Sequence, residues 1–325
     1  MRAAYVDTPN ATDALAALQI GDRPDPEVPE GWVRIRMAAA SLNWHDKFTL
    51  HGMGAQYDRP EEFPMVLGCD GIGRLDDGSR VIIYNVVNHP EWIGNETLDP
   101  DRQTVGEAIQ GTFAQYCVVP RRNAVPLPEG ISDEGAAVLG AAWLTAYRML
   151  FTHAKPRPGQ IMLVQGATGG IATALIQMGK AAGIRVWVCG RTAEKRAIAE
   201  KLGAERTFAS GEALPEPAHF VFEPVGTATF SHSLQSVGIG GKIVVCGFLA
   251  GAFPQLDLGR VFIDQITIQG SYAGTLQELK DMLEFVTATG LVPYVGHVFP
   301  LERAREAFEL LENGNFLGKI VLDLN

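Results

Sequence analysis

Residues 161–204 read IMLVQGATGGIATALIQMGKAAGIRVWVCGRTAEKRAIAEKLGA and carry the clearest structural signal in this chain of 325 residues. The apolar run Ile161 to Val164 predicts a strand that is buried on both faces. A glycine-rich turn, Gly166 to Gly170, follows it, and apolar residues then recur at helical spacing. After Gly183, the run Ile184 to Val188 predicts a second, parallel strand. This order of elements is typical of the unit that binds a pyrophosphate at a helix N-terminus.

The glycine turn suits a phosphate because glycine lets the backbone approach closely, while free amides and the helix dipole attract negative charge. Ala172 stands where the last glycine of the GxGxxG pattern is expected, but alanine still allows close packing of helix on strand. The alternative is a tight turn in an α/β protein that binds no nucleotide. We predict a dinucleotide site whose phosphate-binding residues are Gly166, Thr168, Gly169, Gly170 and Ile171.

The end of the second strand indicates which dinucleotide is bound. A chain that uses NAD commonly places Asp or Glu there to hold the ribose 2′-hydroxyl. Here no carboxylate occurs before Glu194, and Arg191, Thr192 and Lys195 offer two positive charges and a hydroxyl instead. A guanidinium matches the oxygens of a 2′-phosphate well. The sequence therefore predicts NADPH rather than NADH, the alternative being ordinary solvated residues at a helix start.

Composition limits the class of protein. The chain has 46% apolar residues and a net charge of −10 with no basic run, which argues against nucleic acid or an anionic membrane as a partner. The first residues lack the apolar core of a signal peptide, and the longest apolar helical stretch, Gly135 to Tyr147, is too short to span a bilayer. The cysteines show no paired spacing; they are Cys69, Cys117, Cys189 and Cys246. These features predict a reduced, cytoplasmic enzyme.

The chain changes character near residue 125. Short strand-like runs separated by turns precede it, for example Trp32 to Met37. After Pro128, Ser132 is expected to cap a helix from Asp133 to about Phe151, and strands then alternate with helices. The later predicted elements are the strands Phe220–Phe222, Ile243–Cys246 and Ile266–Gly270, the helices Leu276–Thr289 and Leu301–Asn313, and the strand Lys319–Leu322. We predict a β-rich domain from residues 1–126 and 272–325, and a doubly wound nucleotide domain from residues 127–271.

Several motifs along the chain support a family resemblance. They are Ser41-Leu42-Asn43-x-x-Asp46, Pro64-x-x-Leu67-Gly68-Cys69-Asp70-Gly71-x-Gly73, Leu144-Thr145-Ala146-Tyr147, Val164-x-Gly166-Ala167-x-Gly169-Gly170-Ile171, Glu223-x-Val225-Gly226 and Gly318-Lys319-Ile320-Val321-Leu322. Together they resemble the medium-chain dehydrogenase/reductase superfamily over almost the whole chain. The resemblance implies an α/β fold with a GroES-like β-rich catalytic domain, a Rossmann doubly wound parallel-sheet domain, and an active site in the cleft between them. It also implies hydride transfer between a nicotinamide cofactor and a carbonyl, an alcohol or an activated double bond.

The resemblance also bears on zinc. Zinc-dependent relatives hold their catalytic zinc at three positions, which look like Asn43, Cys69 and Ala141 in this chain. Only Cys69 would be a good zinc ligand, whereas a catalytic zinc needs three protein ligands. The loop Asn88 to Gly111, where the structural zinc lobe would lie, contains no cysteine. We therefore expect no metal and the zinc-free quinone-oxidoreductase-like branch. The alternative is a nonstandard metal site, built from His45, His51, Cys69 and Asp70.

Without zinc, quinones and α,β-unsaturated carbonyls are the expected acceptors, because conjugation spreads the charge of the incoming hydride. The predicted catalytic residues are Asn43, His45, Asp46 and His51. Asn43 is expected to donate a hydrogen bond near the acceptor oxygen or the ribose, and Asp46 to hold the local backbone. The proton donor is left open among His45, Lys47, His51 and Tyr57.

The resemblance implies further contacts to the cofactor. Thr145 is expected near the nicotinamide ribose, Gly226 near the adenosine, and Gly247 and Phe248 near the nicotinamide. Lys319 is expected either to close over the cofactor or to flank a strand. Trp44 and Trp92 are candidates for an aromatic wall around a flat substrate, or simply core residues.

The resemblance also implies a homodimer, paired through residues 261–270, since the apolar runs there would otherwise leave a sheet edge exposed. Two other functions stay open. One is a zinc-type alcohol or aldehyde reductase with an unusual metal site. The other is a non-catalytic protein that binds NADPH as a redox sensor.

Overall fold

The computed structural model describes residues 1–52, 63–314 and 316–325, and within it the chain forms two compact units. The first unit comprises Met1–Ala142 with Gly274–Asn325, and the second comprises Trp143–Ala273. The first unit thus runs past residue 126, the limit expected from the sequence. It does so because the helix Asp133–Ala137 packs on strands of that unit.

The elements of the first part of the chain are as follows. The strands are β1 (Arg2–Val6), β2 (Leu18–Asp22), β3 (Trp32–Ser41), β4 (Met65–Val66), β5 (Gly71–Arg74), β6 (Arg80–Ile83), β7 (Val86–Val87), β8 (Gln103–Thr104), β9 (Tyr116–Pro120) and β10 (Ala124–Pro126). The helices are α1 (Ala14–Ala17), α2 (Trp44–His51) and α3 (Asp133–Ala137), with 3₁₀ turns at Glu96–Leu98 and Arg121–Asn123.

The remaining elements follow in chain order. The second unit holds α4 (Leu144–Tyr147), β11 (Ile161–Gln165), α5 (Gly170–Ala181), β12 (Arg185–Gly190), α6 (Ala193–Leu202), β13 (Arg206–Ala209), β14 (Ala218–Glu223), α7 (Thr227–Ser236), β15 (Val237–Val245), α8 (Leu258–Ile263) and β16 (Thr267–Gly270). The tail holds α9 (Leu276–Thr289), β17 (Val295–Pro300), a 3₁₀ turn at Leu301–Arg303, α10 (Ala304–Asn313) and β18 (Lys319–Asp323).

The first unit is built on a largely antiparallel sheet. Its strand order is β10-β6-β5-β3-β18-β17, with β9 also pairing β3, while β2-β1-β4 form a smaller sheet. The C-terminal strand β18 lies beside β3 and places Val321 opposite Ser41. Buried apolar side chains from both ends of the chain share one core, among them Ile35, Leu67 and Phe308. The tail of the chain therefore contributes to the core of the first unit.

The second unit is a parallel sheet with helices packed on its strands. Its strand order, β13-β12-β11-β14-β15-β16, is that of the doubly wound dinucleotide-binding fold. All of these strands are parallel, and the order in which the chain adds them changes side between β11 and β14. All five residues of β11 are buried, as expected for a central strand covered on both faces. The predicted α/β class, with a β-rich part and a doubly wound parallel sheet, is confirmed.

The long helix predicted from Asp133 to Phe151 is interrupted. Ser132 caps it as predicted, its hydroxyl accepting the Gly135 amide at 3.1 Å, but α3 ends at Ala137. Wider π-helical turns, Leu139–Trp143 and Arg148–Ala154, then flank α4. Apolar periodicity detects a helix but not a change in its hydrogen-bonding step, and such π segments are often found at functional sites.

Within the described ranges, no helix combines the length and the apolar character needed to cross a bilayer.

Candidate functional site

The polar residues predicted in the first unit converge at one place. Ser41 ends β3, Asn43 directly precedes α2, and Lys319 begins β18, the neighbour of β3. Cys69 and Asp70 lie in the turn between β4 and β5. We call this group the Asn43 cluster; it consists of Ser41, Asn43, Asp46, Cys69, Asp70 and Lys319. All of its members except Asn43 are buried.

Asn43 links the members of the cluster. Its Nδ2 donates to the Ser41 carbonyl oxygen at 3.1 Å and to the Cys69 Sγ at 3.5 Å, and its Oδ1 accepts from the Lys319 Nζ at 2.7 Å. Because an ammonium can only donate, the amide atom that faces Lys319 must be the oxygen. The amide orientation is thereby fixed, and both Nδ2 hydrogens already have acceptors in the described part of the chain. This differs from the expectation that Asn43 offers a donor to the substrate.

The carboxyl of Asp46 accepts hydrogen bonds from the local backbone. Its Oδ2 accepts the Asn43 amide at 2.7 Å, as the acid of a capping box does, and its Oδ1 accepts the Gly68 amide at 3.2 Å. Burial raises the pKa of the Asp46 carboxyl to about 7, although the hydrogen bond from the Asn43 backbone opposes the rise. The carboxyl therefore ties α2 to the turn that carries Cys69.

Asp70 and Cys69 lie in the same apolar surroundings. Asp70 Oδ1 accepts from the Ser41 amide at 3.2 Å and from the Ser41 hydroxyl at 2.8 Å, whereas its buried Oδ2 has no hydrogen-bond partner among the described residues. Burial raises the pKa of Asp70, and the charge of Lys319 opposes that rise. Burial also raises the pKa of the Cys69 thiol well above its ordinary value, and Asp46 raises it further, so the thiol keeps its proton.

The predicted histidines both lie on α2, His45 in its first turn and His51 in its last. His45 Nε2 lies 3.0 Å from the Oε2 atom of Glu107. Glu107 is a buried acid that sequence reasoning missed, since nothing near it in the chain marks it as a partner of α2. His51 is the last residue of α2, about two turns beyond Asn43.

The other candidates of this segment are placed differently. Lys47 Nζ lies 2.7 Å from Glu312 Oε1 and 5.7 Å from the Trp44 ring centroid, so its charge is paired on α10. Trp44 packs against the core of the first unit, and the Trp92 indole donates to the Asn95 carbonyl oxygen at 3.1 Å. Tyr57 lies outside the described residues.

A metal does not fit this arrangement. Across residues 1–52, 63–314 and 316–325, no three His, Cys, Asp or Glu side chains are grouped so that they could hold a metal ion. The nonstandard site considered for His45, His51, Cys69 and Asp70 is therefore not formed. His45 lies against Glu107, His51 ends α2 and Asp70 Oδ1 accepts from Ser41, so these side chains do not converge on Cys69, whereas a catalytic zinc needs three protein ligands.

The predicted phosphate-binding residues lie together in the second unit, between β11 and α5. Gly166 has φ +100°, which only glycine adopts readily, and an added side chain at Gly166 or Gly169 would meet no atom within 4 Å. Gly169 precedes α5, which begins at Gly170 and Ile171, and Thr168 is buried in the same turn. This turn therefore leaves open space at a helix N-terminus, as a pyrophosphate requires.

The turn after β14 faces the same end of the sheet and is held by a buried carboxylate. Glu223 accepts the amides of Val225 at 2.8 Å and Gly226 at 3.0 Å. It also accepts the hydroxyls of Thr229 at 2.8 Å and Ser233 at 2.5 Å. The sequence motif contained Glu223, but the role of this side chain was missed because its hydroxyl partners come from α7.

The residues predicted to recognise the 2′-phosphate follow β12. Thr192 caps α6, its hydroxyl accepting the Lys195 amide at 3.3 Å, and Arg191 is exposed. Burial lowers the pKa of Lys195, and the neighbouring charge of Arg191 lowers it further. Two cations thus lie side by side beyond the C-terminal end of a strand, with no acid between Gly190 and Ala193.

The remaining predicted cofactor residues also lie in the second unit, apart from Lys319. Thr145 is half-buried in α4, and Gly247 and Phe248 follow β15 at the carboxyl end of the sheet. Gly226 has φ +93°, and a side chain there would lie 2.2 Å from the Gly251 carbonyl oxygen. Lys319 instead belongs to the Asn43 cluster.

Comparisons with known proteins agree with this architecture. The family model described as alcohol dehydrogenase GroES-like domain matches residues 29–129, and the model described as zinc-binding dehydrogenase matches residues 170–288. A zinc-type alcohol dehydrogenase-like protein of Schizosaccharomyces pombe is 30% identical over 330 residues, covering 92% of this chain and 94% of the relative. An acryloyl-coenzyme A reductase of Metallosphaera sedula is 30% identical over 325 residues, covering 94% and 96%. A crystal structure of an NAD-dependent alcohol dehydrogenase superposes with a TM-score of 0.91 at 30% identity, covering 100% of both chains.

Proposed function

The chain belongs to the medium-chain dehydrogenase/reductase superfamily of oxidoreductases, and within it we propose that this protein uses NADPH, without zinc, to reduce quinones or α,β-unsaturated carbonyl compounds. The observation that carries the proposal is the chemistry of the Asn43 cluster. Its possible zinc ligands are the Cys69 thiol and the carboxyls of Asp46 and Asp70. Both carboxyls accept backbone amides, and in the described residues no three possible ligands are grouped so that they could hold a metal ion.

The choice of NADPH rests on the end of β12. A 2′-phosphate there would meet the charges of Arg191 and Lys195, and no acid is placed to hold a ribose 2′-hydroxyl. The open glycine turn before α5 fits the pyrophosphate. When bound, NADPH would supply the hydride.

The choice of acceptor follows from the absence of a fitting metal site in the described residues. An alcohol or simple ketone needs a Lewis acid to stabilise an alkoxide, whereas a quinone or enone spreads the incoming negative charge through conjugation. Hydrogen-bond donors then suffice, together with positioning and exclusion of water by the chain. The acryloyl-coenzyme A reductase relative supports this choice, because its name describes reduction of a conjugated double bond.

The proposal is tested by following oxidation of NADPH and NADH by chelator-treated protein with quinones, enones, acryloyl thioesters, aldehydes and ketones. We expect turnover of the conjugated acceptors, faster with NADPH and indifferent to the chelator. Activity confined to aldehydes or alcohols and restored by zinc would refute it in favour of a zinc-type dehydrogenase. Tight NADPH binding without turnover of any acceptor would favour a redox sensor.

The cofactor preference has its own test in Arg191→Ser. The variant would lose the interaction of the guanidinium with the 2′-phosphate, and a hydrogen bond to a charged group contributes about 1.5–3 kcal/mol. Because Arg191 is exposed, we expect the lower end of this range, which raises the Kd for NADPH about tenfold. Binding of NADH should be unchanged. Lys201→Ser is the matched control, because Lys201 is an exposed cation at the far end of α6, the helix that follows Arg191. Equal weakening of both cofactors would contradict the assignment.

We also propose that the protein forms a homodimer through residues 261–270. β16 is one of the two edge strands of the parallel sheet in the described chain, the other being β13. The helix α8, which precedes β16, leaves Phe262 81% exposed and Ile263 71% exposed. An apolar surface beside an unpaired strand edge favours association with a second copy.

A further inference from the structure

A buried chain of hydrogen bonds joins the ends of two neighbouring strands in the second unit. Gln165 ends β11 and Glu223 ends β14, and these strands pair in parallel. The Gln165 Nε2 lies 3.0 Å from the Ser233 Oγ and 2.9 Å from the His232 Nδ1, and the Ser233 hydroxyl donates to Glu223 at 2.5 Å. Gln165, Ser233 and Glu223 are each at most 1% exposed. We call these four residues the Gln165 relay.

The relay fixes the orientation of the Gln165 amide. An ionised carboxylate only accepts, so the Ser233 hydroxyl gives its single hydrogen to Glu223. The Ser233 oxygen is left to accept, and the Gln165 atom that faces it must therefore be the amide nitrogen. The second hydrogen of that nitrogen points to the His232 Nδ1, which must carry a lone pair.

The other ring nitrogen of His232 leads to the same tautomer independently. The His232 Nε2 lies 2.8 Å from the backbone carbonyl oxygen of Glu212, which can only accept, so this nitrogen carries the hydrogen. His232 is therefore neutral in this arrangement, with its hydrogen on Nε2. An imidazolium would place a second N–H against the N–H of Gln165. The amide could relieve this conflict only by turning its oxygen towards Nδ1.

Protonation of His232 would be passed on to Glu223. A rotated Gln165 amide presents its oxygen to Ser233, whose hydroxyl can meet it only by turning its hydrogen away from Glu223. Glu223 also accepts the backbone amides of Val225 and Gly226, so it holds the turn after β14. Gly226 is one of the residues predicted to contact the adenosine of the cofactor. The relay thus connects a histidine on α7 with the candidate cofactor site of the same unit.

The charged groups nearest to the relay are acids. Helix α7 has no titratable side chain besides His232, and it packs on β11, β14 and β15. Glu212 contacts the ring through its carbonyl oxygen, and Glu223 ends the relay; both negative charges favour an imidazolium. The thiol of Cys189 keeps its proton, because burial and these two acids raise its pKa to about 12. The remaining groups around α7 have other partners, namely Glu216 with Arg185, His219 with the Ile161 amide, Lys242 with the His153 carbonyl oxygen, and Arg260 with Asp264 and the Gln235 carbonyl oxygen.

We propose that His232 is a positioning residue of the cofactor site and makes binding of the nicotinamide dinucleotide sensitive to acid. This role rests on the proposed function. Neutral His232 holds Gln165 in place, and the rest of the relay holds the turn at Gly226. The free protein can accommodate an imidazolium by loosening this turn, whereas the bound cofactor keeps the turn in place. Binding therefore expels the proton from His232, and the cofactor binds more weakly as the pH falls through the range in which histidines gain a proton.

The test measures the Kd for NADP⁺ by titration calorimetry from pH 8 to pH 5.5, for the wild type and for His232→Asn. Asn cannot be protonated, and its Oδ1 can still accept from Gln165. The 2′-phosphate of the cofactor also titrates in this range, but it does so for both proteins, so the ratio of the two Kd values isolates His232. Because a hydrogen bond to the carboxylate of the relay is lost, we expect the wild type to weaken about tenfold more than the variant. His219→Asn, which changes an exposed histidine of β14, should follow the wild type.

Parallel pH profiles for the wild type and His232→Asn would overturn the role, and so would tighter binding by the wild type in acid. If His232→Asn does not fold, Ser233→Ala carries the comparison, because it cuts the relay between Gln165 and Glu223. Its Kd should exceed that of the wild type at pH 8 and should change less in acid; a profile parallel to the wild type would again overturn the role. Wild-type protein that binds neither NADP⁺ nor NAD⁺ at any pH would instead refute the proposed function itself.

Discussion

Replacing Asp46 by Asn should change how the stability of the protein depends on pH. The Asp46 carboxyl is fully buried, and burial raises its pKa from 3.8 to about 7. Between these values the folded protein holds a proton that the unfolded chain has released, so the free energy of unfolding falls as pH rises. The stabilisation from this group is complete below about pH 4 and is lost as pH rises through about 7.

The size of the effect follows from the same shift. At 1.36 kcal/mol per pH unit, a rise from 3.8 to about 7 amounts to about 4 kcal/mol as an upper limit. Because Asn cannot titrate, the difference in unfolding free energy between wild type and Asp46→Asn should move by up to this amount between pH 4 and pH 8. Asp70 has a raised pKa in both proteins, so most of its contribution cancels.

The assay is urea denaturation of both proteins at half-unit steps of pH. The surface change Asp76→Asn, at a side chain that is 84% exposed, controls for the loss of a carboxyl as such and should give a nearly constant difference. A constant difference for Asp46→Asn would refute the reasoning, and so would a wild type that gains on the variant as pH rises. Either result would mean that the Asp46 carboxyl is ionised in the fold at neutral pH.

Three further changes test other parts of the structure. Glu223→Gln removes a carboxylate that accepts the amides of Val225 and Gly226. We expect urea denaturation to show a free energy of unfolding lower by about 2–3 kcal/mol, and NADPH to bind more weakly. Unchanged stability would contradict this role. Asp99→Asn replaces a buried carboxylate that accepts hydrogen bonds from the amides of His89 and Asp101. Thermal unfolding should show a free energy of unfolding lower by about 1–2 kcal/mol. An unchanged Tm would show that other contacts hold the loop from Asn88 to Gly111. Phe262→Glu places a charge on the exposed apolar surface of α8, and sedimentation should show monomers in place of the proposed dimer, whereas an unaltered assembly would locate the interface elsewhere.

Much of the second unit could be predicted from short stretches of sequence. The strand β11, the glycine turn and α5 follow from an apolar run, glycines and helical periodicity, all within twenty residues. The helix α9 was predicted with both of its ends. In the structure these ends are held by local signals, a capping box of Thr275 and Glu278 and a terminal Gly290 with φ +66°. Signals of this kind act between near neighbours in the chain and are visible without the fold.

Less of the Asn43 cluster could be predicted. The sequence indicated Asn43 and Asp46 as a pair three residues apart, and the cap between them is local. It could not show that Lys319, 276 residues away, donates to Asn43 and turns its amide, because the pairing of β18 with β3 brings them together. The same limit applies to Glu107, which reaches His45 from a distant loop.

By itself, the sequence determined the fold class, the glycine turn and the two cations after β12, because hydrophobic periodicity, glycine conformations and fixed charges depend on residues close together in the chain. The tertiary structure alone decided the protonation and orientation of the polar groups. The pKa of Asp46 and the amide direction of Asn43 depend on burial and on partners from distant parts of the chain. The physical reason is that desolvation and hydrogen-bond pairing are properties of a packed site, which exists only after separate parts of the chain have come together.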